Sequence, residues 1–278
     1  MKKPNLFIIG TRKTGTSALY MFLKKHPEIF MSDPKELHFF DQEKLGDFEE
    51  YLSHFKNASS ETYVGEASPS YFQNSFCPKR LYEFNSDSKL ILILREPTAY
   101  LRSYYSHSLR GEQKSVENID DFVFKDERMK DNLVLSDYKR FLKRYLKYFS
   151  KDQIKVLIYE DYKKNNKKAY EEVLKFLGLE YFDIEFTKYN ESLRVRFKWL
   201  DKIVRDYSLG QILHVFPTTI RDKILDFLKG PLLKVEENKY KSKNKQYFKE
   251  NFIKINKFLN EKGFIDDNLI EKWGYNDL

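Results

Sequence analysis

The sequence predicts an α/β protein in which helices cover both faces of a central, mostly parallel β-sheet. Short apolar runs alternate with segments of helical periodicity along the chain, a pattern typical of parallel strands joined by crossover helices. A glycine-containing turn joins the first apolar run to the first helical segment. With 278 residues and 41% hydrophobic content, the chain can bury one large core.

Each predicted element rests on its own hydrophobic pattern. The predicted strands are short apolar runs, at Leu6–Ile9, Ile29–Met31, Thr62–Val64, Lys89–Leu94 and Ile154–Ile158. The predicted helices carry apolar residues at helical spacing, at Ser17–Lys25, Thr98–Arg110, Asp137–Phe149, Lys167–Leu177, Leu193–Tyr207, Ile220–Leu228 and Gln246–Glu261. Ser136 is a candidate N-cap for the third of these helices. No repeat or linker divides the chain, so we expect one domain.

The turn between the first strand and the first helix is a candidate anion site. Gly10 and Gly15 keep the G-x-x-x-x-G spacing of a phosphate-binding loop, but Lys13 lies inside the loop and does not follow the second glycine. Backbone amides and the positive end of the helix favour an anion there. Further donors are the hydroxyls of Thr14, Thr16 and Ser17. An ordinary strand-to-helix connection is the alternative.

A second candidate anion ligand follows the most apolar strand. Arg95 stands directly after Lys89–Leu94, Pro97 favours a helix start, and Ser103 lies within that helix. Because ligands of parallel sheets bind beyond the carboxyl ends of the strands, we expect Arg95 to face the same crevice as the Gly10 loop. A guanidinium can bind a phosphate bidentately, whereas a structural ion pair is the alternative.

Composition limits the compartment and the partners. Cys77 is the single cysteine, which excludes an internal disulfide and a cysteine metal cluster and agrees with a reducing, cytoplasmic compartment. No run approaches the roughly 20 apolar residues of a transmembrane helix, so we expect none. The 20 tyrosines and 24 phenylalanines are spread along the chain. They predict core packing instead of a base-stacking platform, and no nucleic-acid partner is expected.

The net charge of +8 is unevenly distributed. Residues Lys239–Lys257 contain seven lysines and a single acidic residue, Glu250. This segment could bind a polyanion, or it could be an amphipathic helix with a solvated lysine face.

Further sequence strings accompany the two anion sites. They are K-E-L-H-F-F-D at Lys35–Asp41, G-E-A-S-P-S-Y at Gly65–Tyr71, L-I-Y-E-D-Y at Leu157–Tyr162, and F-L-G-L from Phe176. In their order and spacing, the strings and the two anion sites resemble the sulfotransferases that use 3′-phosphoadenosine 5′-phosphosulfate (PAPS), in their glycosaminoglycan and bacterial branches. The resemblance covers about Lys3 to Asn190.

The resemblance implies a P-loop-like three-layer fold with a helical C-terminal region. It implies a single sulfotransferase domain over 1–278, with a PAPS-binding core in 1–190 and an acceptor-binding, cofactor-closing part in 191–278. PAPS would be the co-substrate, with no metal required. The acceptor would be a hydroxyl or amine of a carbohydrate or glycolipid.

The resemblance also implies roles for single residues. Glu36 would remove the acceptor proton with help from His38, and Lys13 would stabilise the leaving phosphate. The 5′-phosphosulfate would bind to the loop residues Arg12, Lys13, Thr14, Gly15, Thr16 and Ser17, and the 3′-phosphate to Arg95 and Ser103. Glu36 and His38 share a face if their segment is extended. The alternatives are a surface pair of Glu36 with Lys35 and a structural histidine at position 38.

The sequence departs from the family pattern at a lysine, a cysteine pair and a glycine-rich loop. The animal heparan sulfate enzymes have a lysine where this chain has Ala67, and they carry a cysteine pair and a glycine-rich cofactor loop that are missing here. Lys241, Lys243 and Lys245 are candidate replacements for the basic contacts of that loop.

Two other functions fit parts of the sequence. A phosphoryl-transfer kinase or nucleotidase could use the Gly10 loop, although it would need magnesium and a lysine after Gly15. A non-enzymatic polyanion-binding protein could use the basic C-terminal helix, and its binding would depend steeply on salt.

Overall fold

The computed structural model describes residues 2–108, 137–186, 241–266 and 268–275. The side chains of residues 102, 104–108, 241–248 and 251 also lie outside this description. The described residues belong to one compact unit, Met1–Thr187 with Tyr240–Leu278. The division at residue 190 stays a prediction.

A five-stranded, all-parallel sheet forms the centre of this unit. In chain order its strands are β1 (Leu6–Gly10), β2 (Ile29–Met31), β3 (Tyr63–Ala67), β4 (Lys89–Leu94) and β5 (Ile154–Ile158). The order across the sheet is β2-β3-β1-β4-β5, and every neighbouring pair is parallel. The chain therefore reverses its winding direction between β1 and β4, which places a ligand crevice at their carboxyl ends.

The helices fall into two layers. In chain order they are α1 (Thr16–Leu23), α2 (Phe48–Ser53), α3 (Cys77–Phe84), α4 (Pro97–Ser108), α5 (Tyr138–Tyr145), α6 (Tyr159–Lys164), α7 (Asn166–Leu177), α8 (Lys241–Glu261) and α9 (Leu269–Lys272). A 3₁₀ turn, Lys151–Gln153, precedes β5. Helices α1 and α7 contact each other, while α8 contacts α4 and α5, and α5 contacts α3.

Strand residues alternate between the two faces of the sheet. Phe7 and Ile9 of β1 join a large aromatic core with side chains of α5 and α8, including Phe141 and Phe258. Both faces are covered, so β1 and β4 are apolar along their length except for Lys89 at the start of β4. This arrangement confirms the predicted α/β class with its mostly parallel sheet and flanking helices.

The element predictions were most accurate for long or strongly apolar segments. All five predicted strands are present, but β3 extends to Ala67, beyond the predicted end at Val64, because Gly65 and Glu66 interrupt the apolar run. The N-cap of α5 is Asp137, whose carboxylate accepts from the Arg140 amide, so the prediction of Ser136 as the cap was wrong. The predicted helices Leu193–Tyr207 and Ile220–Leu228 lie outside the described residues.

Candidate active site

The loop between β1 and α1 is built as a preformed turn. Gly15 precedes α1 in a left-handed conformation, with φ of 80°, so the helix N-terminus opens towards the loop. The amide and hydroxyl of Thr11 both donate to the Ile93 carbonyl of β4, at 2.9 and 3.0 Å. Thr14 Oγ1 donates to the Thr11 carbonyl at 2.6 Å. The hydroxyl of Thr14 thus braces the loop, and the amides at the helix start remain the candidate anion site.

The other predicted loop residues surround this turn. Lys13 has a positive φ of 61°, and its carbonyl accepts from Arg95 Nη1 at 2.9 Å. Arg95 therefore contacts the Gly10 loop, in agreement with the expectation that the two lie at the same edge of the sheet. Thr16 is buried, Ser17 is half-buried and Arg12 is exposed.

Arg95 is held from three directions. Its guanidinium lies over the Tyr159 ring at 4.5 Å, its Nη1 contacts the loop, and its carbonyl accepts from the Tyr138 hydroxyl at 2.9 Å. Its Nε atom is buried and has no hydrogen-bond partner among the described residues. A buried cationic donor without an acceptor is costly, so this position suits an anionic group such as a phosphate.

The remaining predicted phosphate ligands lie on helices. Ser103 is half-buried on α4, two turns after Arg95. Lys241 and Lys245 lie in the first turns of α8, and their side chains are outside the described residues, as is that of Lys243.

The loop after β2 carries the candidate base. Glu36 and His38 have positive φ values of 65° and 52°, so their segment is not extended. Their side chains still meet, because His38 Nε2 lies 3.5 Å from Glu36 Oε2. Lys35 Nζ contacts the other carboxylate oxygen, Oε1. Glu36 is thus paired with Lys35 and also faces His38, and its side chain is 42% exposed, which keeps it accessible to an acceptor.

Two site residues had no role assigned from the sequence. Asp41 Oδ2 lies 3.0 Å from His38 Nδ1, and Ser70 Oγ lies 3.0 Å from the same nitrogen and donates to Asp41. The imidazole therefore stands between the carboxylates of Glu36 and Asp41. The signal for Ser70 was its position after β3, a neighbour of β1, because polar residues at that edge of a parallel sheet face the ligand crevice.

A third site residue without an assigned role is the buried carboxylate of Glu66, on β3. Its side chain is fully buried and accepts from three hydroxyls, those of Tyr51, Ser68 and Tyr71. Burial raises the pKa of Glu66 to about 7, against the opposing effect of these hydrogen bonds.

The turn after β3 connects two loops. One is the loop after β2 that carries Glu36 and His38, here called the base loop, and the other is the loop between β1 and α1, here called the anion loop. The Phe72 amide donates to the Ile9 carbonyl at 2.8 Å, and a Cβ on Gly10 would lie 2.7 Å from Phe72 Cβ. Glycine at position 10 thus allows the close approach of this turn, which also carries Ser70 to His38. The candidate base Glu36, His38 and the candidate anion loop therefore share one edge of the sheet.

Comparison with known proteins identifies the family. Residues 3–201 match the family model of the sulfotransferase domain, which is well over half of the chain. The chain belongs to the sulfotransferase family. This sulfotransferase is 34% identical to human heparan sulfate glucosamine 3-O-sulfotransferase 5 over 166 residues, which cover 55% of this chain and 47% of that protein. It thus spans about half the length of that relative.

A second relative and two solved structures extend the comparison. The sulfotransferase is 28% identical over 238 residues to a bifunctional heparan sulfate N-deacetylase/N-sulfotransferase of Caenorhabditis elegans, covering 80% of this chain and 28% of that protein. The sulfotransferase from Alicyclobacillus acidocaldarius aligns with a TM-score of 0.62 and 27% identity, over 69% of this chain and 88% of that one. A mouse sulfotransferase complexed with PAP shares the fold, with a TM-score of 0.51 and 17% identity over 91% and 84% of the two chains.

Within the described part of the chain, helices long and apolar enough to span a membrane are absent.

Proposed function

We propose that this sulfotransferase moves a sulfuryl group from PAPS to a hydroxyl or amine of a carbohydrate acceptor, with Glu36 as the general base. The observation that supports this most is the convergence at one sheet edge of three features: the loop between β1 and α1, an arginine whose Nε has no partner among the described residues, and a carboxylate against an imidazole. This set provides the groups that such a transfer needs: anion ligands, a base and an open approach.

The residues of the anion site suit the two phosphate ends of PAPS. Lys13, the α1 amides and the hydroxyls of Thr16 and Ser17 would hold the 5′-phosphosulfate. Arg95 would hold the 3′-phosphate together with Ser103, with Lys241 and Lys245 as further candidates. The buried Nε of Arg95 then gains the acceptor that it lacks among the described residues. When bound, PAPS supplies an activated sulfuryl group attached to a phosphate leaving group, whose charge Lys13 would stabilise.

The base loop would receive the acceptor proton. Glu36 Oε1 is occupied by Lys35, so Oε2, which faces His38 and solvent, is the oxygen that would take the proton. His38 keeps this carboxylate oriented, and Asp41 and Ser70 hold the opposite ring nitrogen. A carbohydrate acceptor is proposed because the relatives named above are heparan sulfate enzymes. They include O- and N-sulfotransferases, so the proposal covers both acceptor groups.

Transfer of labelled sulfate from PAPS to a panel of carbohydrates that includes heparan sulfate tests this proposal. Glu36→Gln should lower kcat by about 100-fold or more, since a positioned base contributes about that factor. Binding of adenosine 3′,5′-bisphosphate (PAP) should persist in this variant. Glu49→Gln, at an exposed carboxylate on α2, is the matched control and should retain activity. Near-normal turnover of the Glu36 variant would exclude Glu36 as the base, and transfer to none of the carbohydrates would contradict the acceptor class.

A further inference from the structure

Glu66 is the only member of its hydrogen-bonded cluster that cannot donate a proton when it is ionised. Tyr51 and Tyr71 donate to its Oε1 at 3.1 and 2.9 Å, and Ser68 donates to its Oε2 at 3.2 Å. A carboxylate is a pure acceptor, so it fixes the direction in which each of these hydroxyl hydrogens points.

Two of the three hydroxyls also contact the loop that carries the base. Ser68 Oγ accepts from the His38 amide at 3.2 Å. Tyr71 Oη accepts from the amides of Phe39 and Phe40 at 3.0 and 3.3 Å. Because the hydrogens of both hydroxyls point to Glu66, their lone pairs remain available to three successive loop amides. Among the described residues, the Tyr51 hydroxyl donates to Glu66 and makes no hydrogen bond to a loop amide.

We propose that Glu66 is a positioning residue for sulfuryl transfer: its carboxylate orients Ser68 and Tyr71 so that they fix the loop backbone bearing Glu36 and His38. Residues 36 and 38 both adopt left-handed conformations, which non-glycine residues occupy only when the surroundings hold them there. The amides of residues 38–40 donate three hydrogen bonds to the hydroxyls of Ser68 and Tyr71. These hydrogen bonds supply that support at His38 and directly after it. The proposal rests on the proposed role of Glu36 as the base.

The surroundings of Glu66 allow its charge to change near neutral pH. The titratable groups that face it are Tyr51 from α2, Tyr71 from the turn after β3, Cys77 from α3, and Asp41 from the loop after β2. Burial raises the pKa values of both tyrosines and of the cysteine, which stay neutral. The nearby Asp41 adds to the burial effect that raises the pKa of Glu66 to about 7.

Hydrogen exchange of the loop amides in the unliganded protein tests the proposal without depending on PAPS or an acceptor. Glu66→Gln preserves the size of the side chain but replaces one acceptor oxygen with an amide donor, so at least one of the hydroxyls loses its acceptor. We expect amide exchange at residues 38–40 to become about tenfold faster, which corresponds to the loss of about one hydrogen bond. Tyr51→Phe is the matched control, because it removes a bond to Glu66 that does not continue to the loop, and its loop exchange should match wild type.

Kinetics provide the second readout. In Glu66→Gln, kcat should fall by about tenfold or more while the Kd for PAP stays within about twofold of wild type, since the anion loop makes no bond to Glu66. Tyr71→Phe and Ser68→Ala remove the loop acceptors directly and should show the same split, which covers the case that Glu66→Gln fails to fold.

Two results would overturn the proposal. One is wild-type exchange at residues 38–40 in Glu66→Gln, or in Tyr71→Phe and Ser68→Ala if Glu66→Gln does not fold. The other is an equal acceleration in Tyr51→Phe and Tyr71→Phe. If exchange changes as expected but wild-type protein shows no sulfuryl transfer, the proposed function fails while the positioning of the loop stands.

Discussion

Individual side chains set the charge of the active site, and they differ in how far the sequence could predict them. Arg95 was predictable because it stands directly after a strongly apolar strand, whose carboxyl end must lie at the ligand edge. Glu66 was not, because it lies within β3 as a fully buried carboxylate, and hydrophobic patterning assigns no role to a charge inside a strand. From the sequence, Glu36 and His38 share a face only if their segment is extended, whereas both adopt a left-handed backbone. The His38 amide donates to Ser68, 30 residues away, and local patterns do not predict such a contact.

The raised pKa of Glu66 predicts a pH dependence of stability. Its pKa rises on folding from 4.5 to about 7, so the folded state binds the proton more tightly than the unfolded state. The free energy of unfolding should therefore be highest near pH 4.5, fall by up to about 3 kcal/mol as the pH rises to 7, and then level off, as far as Glu66 is concerned. Urea unfolding of wild type and Glu66→Gln between pH 4.5 and 8 measures this. The difference between the two curves isolates Glu66, and parallel curves would contradict the shifted pKa.

At the scale of elements, the strand–loop–helix unit of residues 6–23 was predictable because its signals are local. Gly15 adopts the left-handed conformation that the turn requires, and β1 and α1 lie where the hydrophobic patterns placed them. The short helices α2, α3, α6 and α9 were not predicted, since four to eight residues carry too little periodicity. The sequence does contain one signal for α2, since Asp47 is a residue type preferred at N-caps. In the structure its carboxylate accepts from the amides of residues 49 and 50.

Substitution of Gly15 should lower the free energy of unfolding by more than the cost of its left-handed backbone conformation alone. In Gly15→Ala a Cβ would lie 2.8 Å from Tyr162 Cε1, in addition to the cost of φ at 80°. Gly178→Ala is the matched control, because its φ is 70° and nothing lies within 4 Å of the added Cβ. Urea unfolding should show a loss of about 1–2 kcal/mol for the control and a larger loss for Gly15→Ala.

PAP binding separates the two glycine variants further. We expect Gly15→Ala to weaken it by about tenfold or more, and Gly178→Ala to leave it unchanged. Equal effects of the two substitutions on stability and on binding would show that the contact with Tyr162 does not shape the anion loop.

Over the whole molecule, the segment of Trp273 and Tyr275 returns to the end of β4 that carries Arg95. Trp273 Nε1 donates to Glu160 Oε2 at 3.1 Å, Glu160 Oε1 accepts from the Glu96 amide at 3.2 Å, and the Tyr275 hydroxyl donates to Glu96. Glu96 is the residue next to Arg95. The contacts of Trp273 and Tyr275 join segments more than 100 residues apart, and no local pattern in the sequence encodes such pairings.

Loss of the Trp273 donor should therefore weaken the assembly of the core. Trp273→Phe keeps an aromatic ring but leaves Glu160 Oε2 without this donor, which should lower the free energy of unfolding by about 1–2 kcal/mol. Tyr181→Phe, which removes a hydroxyl bonded to Asp183 from a 43% exposed side chain, should change it by less than about 0.5 kcal/mol. Urea unfolding compares the two, and equal losses would show that the Trp273 contact adds no stability beyond an exposed hydrogen bond.

The central claim is that the Gly10 loop and Arg95 together bind a nucleotide that has phosphates on both its 5′ and 3′ positions. Calorimetric titration with adenosine 3′,5′-bisphosphate, with and without magnesium, tests it on wild type, Arg95→Ala and the charge-matched control Lys79→Ala, whose lysine is exposed on α3. We expect wild type and Lys79→Ala to bind with equal affinity whether or not magnesium is present, and Arg95→Ala to bind at least about tenfold more weakly. Absence of binding to wild type, or a magnesium-dependent preference for ATP, would contradict the claim.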